Sequence, residues 1–240
     1  MGAYAFFEGR VVPVEDAKIS VMTHAFNYGT GVFEGIRAYW SAADGQLNIF
    51  KAAEHYQRLH RSVRILKITL PYSVTDLVNL TVEVLRRSAF HEDTYIRPLA
   101  YKSSTVVGVR LHNLEDSFTM FALPFGKYVD KPEGAHCCVS SWRRNDDNAI
   151  PSRCKITGSY VNSALSKSEA VEDGYDEAIV LNQDGHVSEG SAENLFIVRD
   201  GVLITPPGTD NILEGITRGV ILQLARTELG IPTLERSIDR

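Results

Sequence analysis

The stretch from Pro151 to Asn194 constrains this chain more than any other, because it sets reactive side chains on irregular backbone beside regular structure. It opens with Ser152-Arg153-Cys154-Lys155 and passes through Gly158-Ser159-Tyr160 into a helical pattern, which Gly174 stops after Asp173. It closes at Val187-Ser188-Glu189-Gly190-Ser191-Ala192-Glu193-Asn194. This puts one lysine just before a helix, an aromatic hydroxyl five residues on, and later a carboxylate on a Gly-flanked turn. A lysine whose amine is desolvated forms a Schiff base with a carbonyl. A surface lysine and a turn glutamate fit the same spacing.

The bulk of the sequence narrows the class. A chain of 240 residues buries a sizeable core as one large domain or two modest ones. Its 44% apolar and 23% charged content is that of an ordinary globular protein. A formal charge of -5 leaves no basic footprint for nucleic acid and no polybasic segment for a membrane. No apolar run reaches the length of a spanning helix and no signal peptide is visible, so a cytoplasmic location is expected. Three cysteines, two of them adjacent at 137 and 138, make no disulfide framework, and no metal is implied.

Local patterns lay out the elements. Ala3 to Val14 reads as a hairpin around Gly9-Arg10. Lys51 to Leu66 carries Tyr56, Leu59, Val63 and Leu66 on one helical stripe, with Arg58, Arg61 and Arg64 off it. Ser73 with Asp76 predicts a capping box and a helix to about Arg87. Thr94 to Tyr101 alternates as a strand, which Pro98 demotes to an edge or a bulge. Strands follow at Ser117–Phe125, Cys137–Trp142 and Glu177–Asn182, with a turn at Asp184-Gly185. Asn194 to Arg199 pairs with Val202 to Thr205, and Leu213 opens an amphipathic helix to Leu229. Gly126 to Gly134 is the linker by composition, dividing a small domain over 1–125 from a larger one over 135–240.

Several blocks of this sequence resemble one family. They are Tyr28-Gly-Thr-Gly-Val-Phe-Glu-Gly-Ile-Arg37, Gln57-Arg58-Leu59 and Tyr95-Ile-Arg-Pro-Leu99, then Lys155-Ile-Thr-Gly-Ser-Tyr160, Val187-Ser-Glu-Gly-Ser-Ala-Glu-Asn194 and Gly215-Ile-Thr-Arg218. Together they resemble the branched-chain amino acid aminotransferases, within the fold type IV pyridoxal phosphate enzymes. The resemblance implies an α+β protein of two domains, of the D-amino acid aminotransferase-like fold, with the cofactor wedged between them in a homodimer. Pyridoxal 5′-phosphate is the cofactor so implied, and small amino and 2-oxo acids are the partners. The reaction implied is transamination of leucine, isoleucine and valine with 2-oxoglutarate.

Residue by residue, the resemblance implies Lys155, Glu189 and Tyr160 as the catalytic set: the lysine holds the cofactor, the carboxylate faces its ring nitrogen, and the tyrosine bonds its ring hydroxyl. Arg58, Ile216 and Thr217 are implied for the phosphate, which suits a planar guanidinium fork and a helix N-terminus. Tyr28, Phe33, Tyr95, Arg97, Val109, Phe125 and Tyr128 are implied for the substrate, Arg97 and Tyr128 taking a side-chain carboxylate. Trp142-Arg143-Arg144-Asn145 is implied as support beneath the cofactor. Family members generally continue past the strand expected at Ile231–Ile238 with a Gly-Thr-Ala-Ala-Glu turn that helps bind phosphate and substrate. The second domain is therefore expected to be incomplete: either the chain is a fragment or its site lacks that turn. In the same fold the alternatives are a D-amino acid aminotransferase, an (R)-amine transaminase and an aminodeoxychorismate lyase. The Phe-Glu-Gly-Ile-Arg and Tyr-Ile-Arg-Pro-Leu blocks favour the branched-chain enzymes. A non-catalytic cofactor-binding protein is the alternative from another class.

Overall fold

The computed structural model describes residues 2–127 and 130–240. They group into two compact units, Met1–Tyr128 with Cys154–Gly158, and Val129–Arg153 with Ser159–Arg240.

The first unit opens with a hairpin of β1 (Tyr4–Phe7) and β2 (Arg10–Pro13). Glu8 and Gly9 at its tip both have positive φ, 48° and 79°, the backbone that matches the twist of a two-residue hairpin. A short α1 (His24–Tyr28) leads to β3 (Gly31–Phe33), β4 (Ile36–Ser41) and β5 (Gln46–Ile49). Two longer helices follow, α2 (Ala52–Ile65) and α3 (Val74–Ser88), then β6 (Thr94–Lys102) and β7 (Asp116–Pro124). The strands form one sheet in the order β2-β1-β7-β6-β4-β5, with β3 also on β6. Every pairing in it is antiparallel.

Helix α2 packs on β3, helix α3 packs on β1 and β7, and the two helices pack on each other. Their apolar stripes supply Tyr56, Leu59 and Val63 from α2 and Leu77, Val84 and Leu85 from α3, all buried. Each such aliphatic side chain stabilises by roughly 1.5–3 kcal/mol when fully buried. The capping box predicted at the head of α3 is present. Ser73 Oγ accepts from the Asp76 N–H at 3.1 Å, and Asp76 Oδ2 accepts from the Ser73 N–H at 2.8 Å.

Strand β6 has Ile96, Pro98 and Ala100 buried, while Tyr95, Arg97 and Leu99 take the other face by the two-residue period. Pro98 corrects the sequence expectation, for β6 pairs on both sides and is no edge strand. The Pro98 carbonyl accepts from the Glu34 N–H at 3.0 Å, so the side of Pro98 that lacks an N–H faces the interruption between β3 and β4. No ladder bond is lost there.

The second unit holds β8 (Cys137–Arg143), α4 (Tyr160–Glu172), β9 (Glu177–Leu181) and β10 (Val187–Gly190). After them come β11 (Ile197–Arg199), β12 (Val202–Thr205), α5 (Ile216–Thr227) and β13 (Thr233–Glu235). Two three-stranded sheets result, β10-β9-β8 and β11-β12-β13. Each contains one parallel pair, β8 with β9 across α4, and β12 with β13 across α5. The segments between strand and crossover helix are where open α/β sheets gather ligand groups, and both carry residues singled out above. Leu181, Val187, Ile204 and Ile238 form the core at these sheets. Among the described residues no helix is long and apolar enough to cross a membrane.

Cys154–Gly158 departs from the expected division, which assigned it to the second domain; it belongs with the first unit. Its backbone runs along β3. Phe33 N–H donates to Lys155 O at 3.0 Å, Thr157 N–H to Gly31 O at 2.8 Å and Gly158 N–H to Gly29 O at 3.1 Å. Gly29 and Gly158 lie so close that a Cβ on Gly29 would stand 2.6 Å from the Gly158 Cα. Gly29 and Gly45 share a left-handed φ, +65° and +62°, but a Cβ on Gly45 meets nothing within 4 Å. Gly45→Ala should therefore cost only the conformational penalty, about 1 kcal/mol. Gly29→Ala should cost at least about 2 kcal/mol, because Gly158 must also move. Urea unfolding of both variants measures the difference; equal costs would contradict this packing.

Candidate active site

In the first unit the structure brings five of the singled-out residues together around the Phe33 ring. Lys155 Nζ lies 5.1 Å from its centroid and the Arg97 guanidinium carbon 4.3 Å from it. Arg97 Nε also donates to Tyr95 Oη at 2.9 Å, and among the described residues no carboxylate pairs with this guanidinium. The Tyr95 ring packs on Phe125 at 5.7 Å between centroids, and Arg37 covers Phe125 at 5.4 Å. Gly35 makes room for this, since a Cβ there would come within 2.6 Å of Tyr95 Oη. Two cations thus lie against one aromatic ring, an arrangement suited to anionic ligands that also carry apolar groups.

The backbone of Lys155 is irregular in shape but firmly held. Besides the ladder along β3, Thr157 Oγ1 donates to Gly29 O at 2.7 Å and accepts from Gly31 N–H at 3.2 Å. Cys154 and Ile156, on either side of the lysine, are buried. These anchors direct the lysine side chain away from the buried neighbours.

The three arginines off the α2 stripe differ in their surroundings. Arg61 and Arg64 are exposed, but Arg58 is buried. Its Nε and Nη2 grip Glu34 at 2.8 and 2.7 Å, and His55 Nδ1 meets the same carboxylate at 2.8 Å. Burial by itself would raise the Glu34 pKa, yet the hydrogen bonds from Arg58 and His55 hold it down at about 2. Sequence reading missed Glu34 and His55; the available signal was a lone acid inside Phe33-Glu34-Gly35-Ile36 and a histidine one turn ahead of Arg58. Tyr28 and Val109 sit at a different feature, the loop at Gly108, whose N–H donates to Tyr28 Oη at 3.1 Å. Tyr128 lies outside the described residues.

In the second unit Glu189 is buried on β10 and receives three partners. Arg144 Nη2 stands 2.6 Å from Oε1, Asn194 Nδ2 donates to Oε2 at 2.9 Å, and the Leu213 N–H donates to Oε2 at 3.1 Å. Asn194 then reaches the head of α5, where the Gly215 N–H donates to its Oδ1 at 3.1 Å. Helix α5 starts at Ile216 with no side-chain cap and no acid in its first turn, so its dipole and amides favour an anion at Ile216-Thr217. Tyr160 is the first residue of α4. Arg144, expected only as support, is the counter-ion of Glu189.

A further pair of carboxyls closes the same turn. Glu193 accepts from Ala192 N–H at 3.0 Å while its carbonyl accepts from Gly190 N–H at 2.7 Å. Its neighbour Glu177 takes Lys167 Nζ at 2.7 Å. Burial, reinforced by the hydrogen bond with Glu177, pushes Glu193 up to about 7. Burial also works against the Glu177 charge, but the hydrogen bonds from Lys167, Glu193 and the Ala178 N–H hold its pKa below the ordinary value.

The amino-transferase class IV family profile matches residues 31–240. A probable branched-chain-amino-acid aminotransferase of Aquifex aeolicus is 52% identical over 237 residues, covering 99% of this chain and 76% of that protein. The branched-chain aminotransferase of Thermoproteus uzoniensis, solved with norvaline, superposes with a TM-score of 0.95 at 47% identity over 100% of this chain and 80% of its own. A T.th. branched-chain amino acid aminotransferase complexed with N-(5′-phosphopyridoxyl)-L-glutamate gives 0.92 at 40% identity, over 100% of this chain and 78% of its own.

The raised Glu193 carboxyl makes a stability prediction. The folded state keeps this proton up to about pH 7, whereas an unfolded glutamate releases it near 4.5. Between those values the folded state binds more protons, so stability falls as pH rises through the window. Glu193→Gln keeps a neutral donor for Glu177 and removes that fall. Relative to Glu193→Gln, the parent should lose roughly 1–2 kcal/mol between pH 5 and pH 8, allowing for partial exposure. Urea midpoints at the two pH values measure it, and parallel profiles would contradict the shared proton.

Proposed function

We propose that this chain, which belongs to the class IV aminotransferases, exchanges the amino group of branched-chain amino acids with 2-oxoglutarate. The cofactor of the family is pyridoxal 5′-phosphate. Each unit carries donor types that such a molecule takes: in the first, an amine on held backbone in Lys155 and a buried guanidinium in Arg58; in the second, a buried carboxylate in Glu189 and an uncapped helix head at Ile216-Thr217. When bound, the cofactor supplies a carbonyl carbon for an amine and a ring that accepts the electrons released at the substrate α-carbon.

The chain's own residues do the rest. Lys155 Nζ would hold the cofactor at its carbonyl carbon; once the substrate's amino group displaces it, the freed amine would move the proton at the substrate α-carbon as general base and then general acid. Glu189, with Arg144 as its counter-ion and Asn194 and the Leu213 N–H fixing its second oxygen, holds a proton on the ring nitrogen. By the resemblance of their blocks, Tyr160 is assigned to the ring hydroxyl, and Arg58 in the first unit and the Ile216 and Thr217 amides in the second are each assigned to phosphate. Phe33, Tyr95 and Phe125 offer apolar surface to an aliphatic side chain, while Tyr28 and Val109, at the Gly108 loop, are assigned to the substrate by the resemblance of their segments. Arg97 and Tyr128 take the distal carboxylate of glutamate.

The observation that carries this reading is the meeting of Lys155 and Arg97 over the Phe33 ring. An amine for the α-amino chemistry and a guanidinium that has no carboxylate partner among the described residues meet at one apolar ring, as a site accepting both leucine and glutamate requires. The norvaline and phosphopyridoxyl-glutamate complexes of the two structural relatives support the same pair of substrate types.

We also propose a homodimer. Val21 and Phe26 are 77% and 68% exposed, and Val107 and Val109 are 90% and 84% exposed. The two segments are tied together by Tyr28 Oη and by His24 Nε2, which lies 2.7 Å from Gly108 O. Contiguous apolar surface of this kind favours a partner. Light scattering on the purified chain measures its mass, and a monomer at micromolar concentration would refute the dimer.

Arg97→Ala separates the two substrates. Leucine keeps its apolar wall, while glutamate loses a charge-assisted contact of about 1.5–3 kcal/mol, roughly a tenfold to hundredfold loss. Single-turnover half-reactions with each amino acid measure the divergence. Equal losses would make Arg97 a structural residue and remove the carboxylate from this pocket.

A further inference from the structure

Glu34 stands at the interruption between β3 and β4 with no exposed surface. Its own N–H is committed to Pro98 O at 3.0 Å, which fixes the backbone that carries it. Its carboxylate meets Arg58 edge to edge, Nε to Oε1 at 2.8 Å and Nη2 to Oε2 at 2.7 Å. His55, one helical turn before Arg58 on α2, completes Oε2 at 2.8 Å. The hydrogen bonds from Arg58 and His55 outweigh burial and keep this carboxyl ionised across the physiological range.

Two physical facts bear on what such a carboxylate is for. An arginine off the apolar stripe ordinarily lets its stem lie on the protein and carries its head out to water. A guanidinium gripped along one edge by a bidentate carboxylate cannot swing, because it is planar and both bonds share that plane. Stability alone is a poor reason for the pair, since apolar side chains of similar volume serve as well or better at a buried site. Direction is what the pair secures.

We infer that Glu34 is the positioning residue of the phosphate anchor: by holding the Nε–Nη2 edge of Arg58 it sets the direction of the guanidinium's other N–H bonds before the anion arrives. This rests on the reading of Arg58 as the group that takes the cofactor phosphate. The ligand it prepares for is a phosphate monoester, and its effect vanishes for a ligand that lacks the phosphate. His55 supports the grip from the same helix and keeps the second oxygen from turning away.

The test compares pyridoxal 5′-phosphate with pyridoxal, which offers the same carbonyl without the phosphate. Dissociation constants of both are measured by absorbance titration of the apo form of the full chain, with melting temperatures recorded alongside. In Glu34→Gln the amide cannot accept from Arg58 on both atoms. Affinity for pyridoxal 5′-phosphate should fall roughly tenfold to hundredfold while that for pyridoxal is little changed. Glu34→Asp, which retains the charge, should recover part of the preference, and it carries the same comparison if the Gln variant does not fold. Arg58→Met should lose the preference as Glu34→Gln does. An unaltered preference in both Glu34 variants, or equal losses for the two ligands, with Arg58→Met losing the preference, would make Glu34 merely structural and overturn the inference. An unaltered preference in Arg58→Met would instead overturn the reading of Arg58, and the inference with it.

Discussion

The ladder that holds residues 154–158 along β3 is the constraint on which the candidate site depends. Lys155 stands on backbone with no helix or strand of its own, so without that ladder its amine would have no fixed place. Three backbone bonds and the Thr157 hydroxyl, which bonds both Gly29 and Gly31, give this segment the rigidity of a strand. The glycines at 29 and 158 are what allow so close an approach. The same β3 carries Phe33, so one short strand fixes the lysine by its backbone and borders it with a ring by its side chain. Catalytic groups work when held in productive geometry, and here the fold does this through main-chain bonds that no side-chain rotation can undo.

Charge is organised in each unit by pairing buried groups. In the first, Glu34 takes Arg58 and His55; in the second, Glu189 takes Arg144 with two further donors. Taking such charges out of water costs several kcal/mol per ion, and mutual attraction recovers it only where geometry and extra hydrogen bonds are good. Both pairs meet that condition. Arg97 differs, resting on Phe33 and Tyr95 Oη rather than on a carboxylate. That contrast separates arginines gripped by a carboxylate of the chain from one that rests on aromatic rings.

Local elements were legible in the sequence wherever local physics decides them. Ser73 with Asp76 forms the cap they spell, and Gly174, with φ at 84°, follows the end of α4 where the pattern stops. The blocks around Lys155, Glu189 and Arg97 led to residues that the structure holds in defined surroundings. What the sequence hid are contacts made at long range. Pro98 looked like a strand breaker because the gap between β3 and β4 that excuses it lies some sixty residues earlier in the chain. The grip of Glu34 on Arg58 was hidden because the two are 24 positions apart on different elements. Cys154–Gly158 looked like part of the second domain because its ladder partners lie 122 or more residues back.

The central claim is that Lys155, on its ladder beside Phe33, is the amine that engages the cofactor. The direct measurement is to incubate the chain with pyridoxal 5′-phosphate, reduce with borohydride, digest, and locate the modified lysine by peptide mass spectrometry. The account predicts modification at Lys155 and at none of the other seven lysines in stoichiometric amount. Stoichiometric modification elsewhere, or none at Lys155, would contradict it.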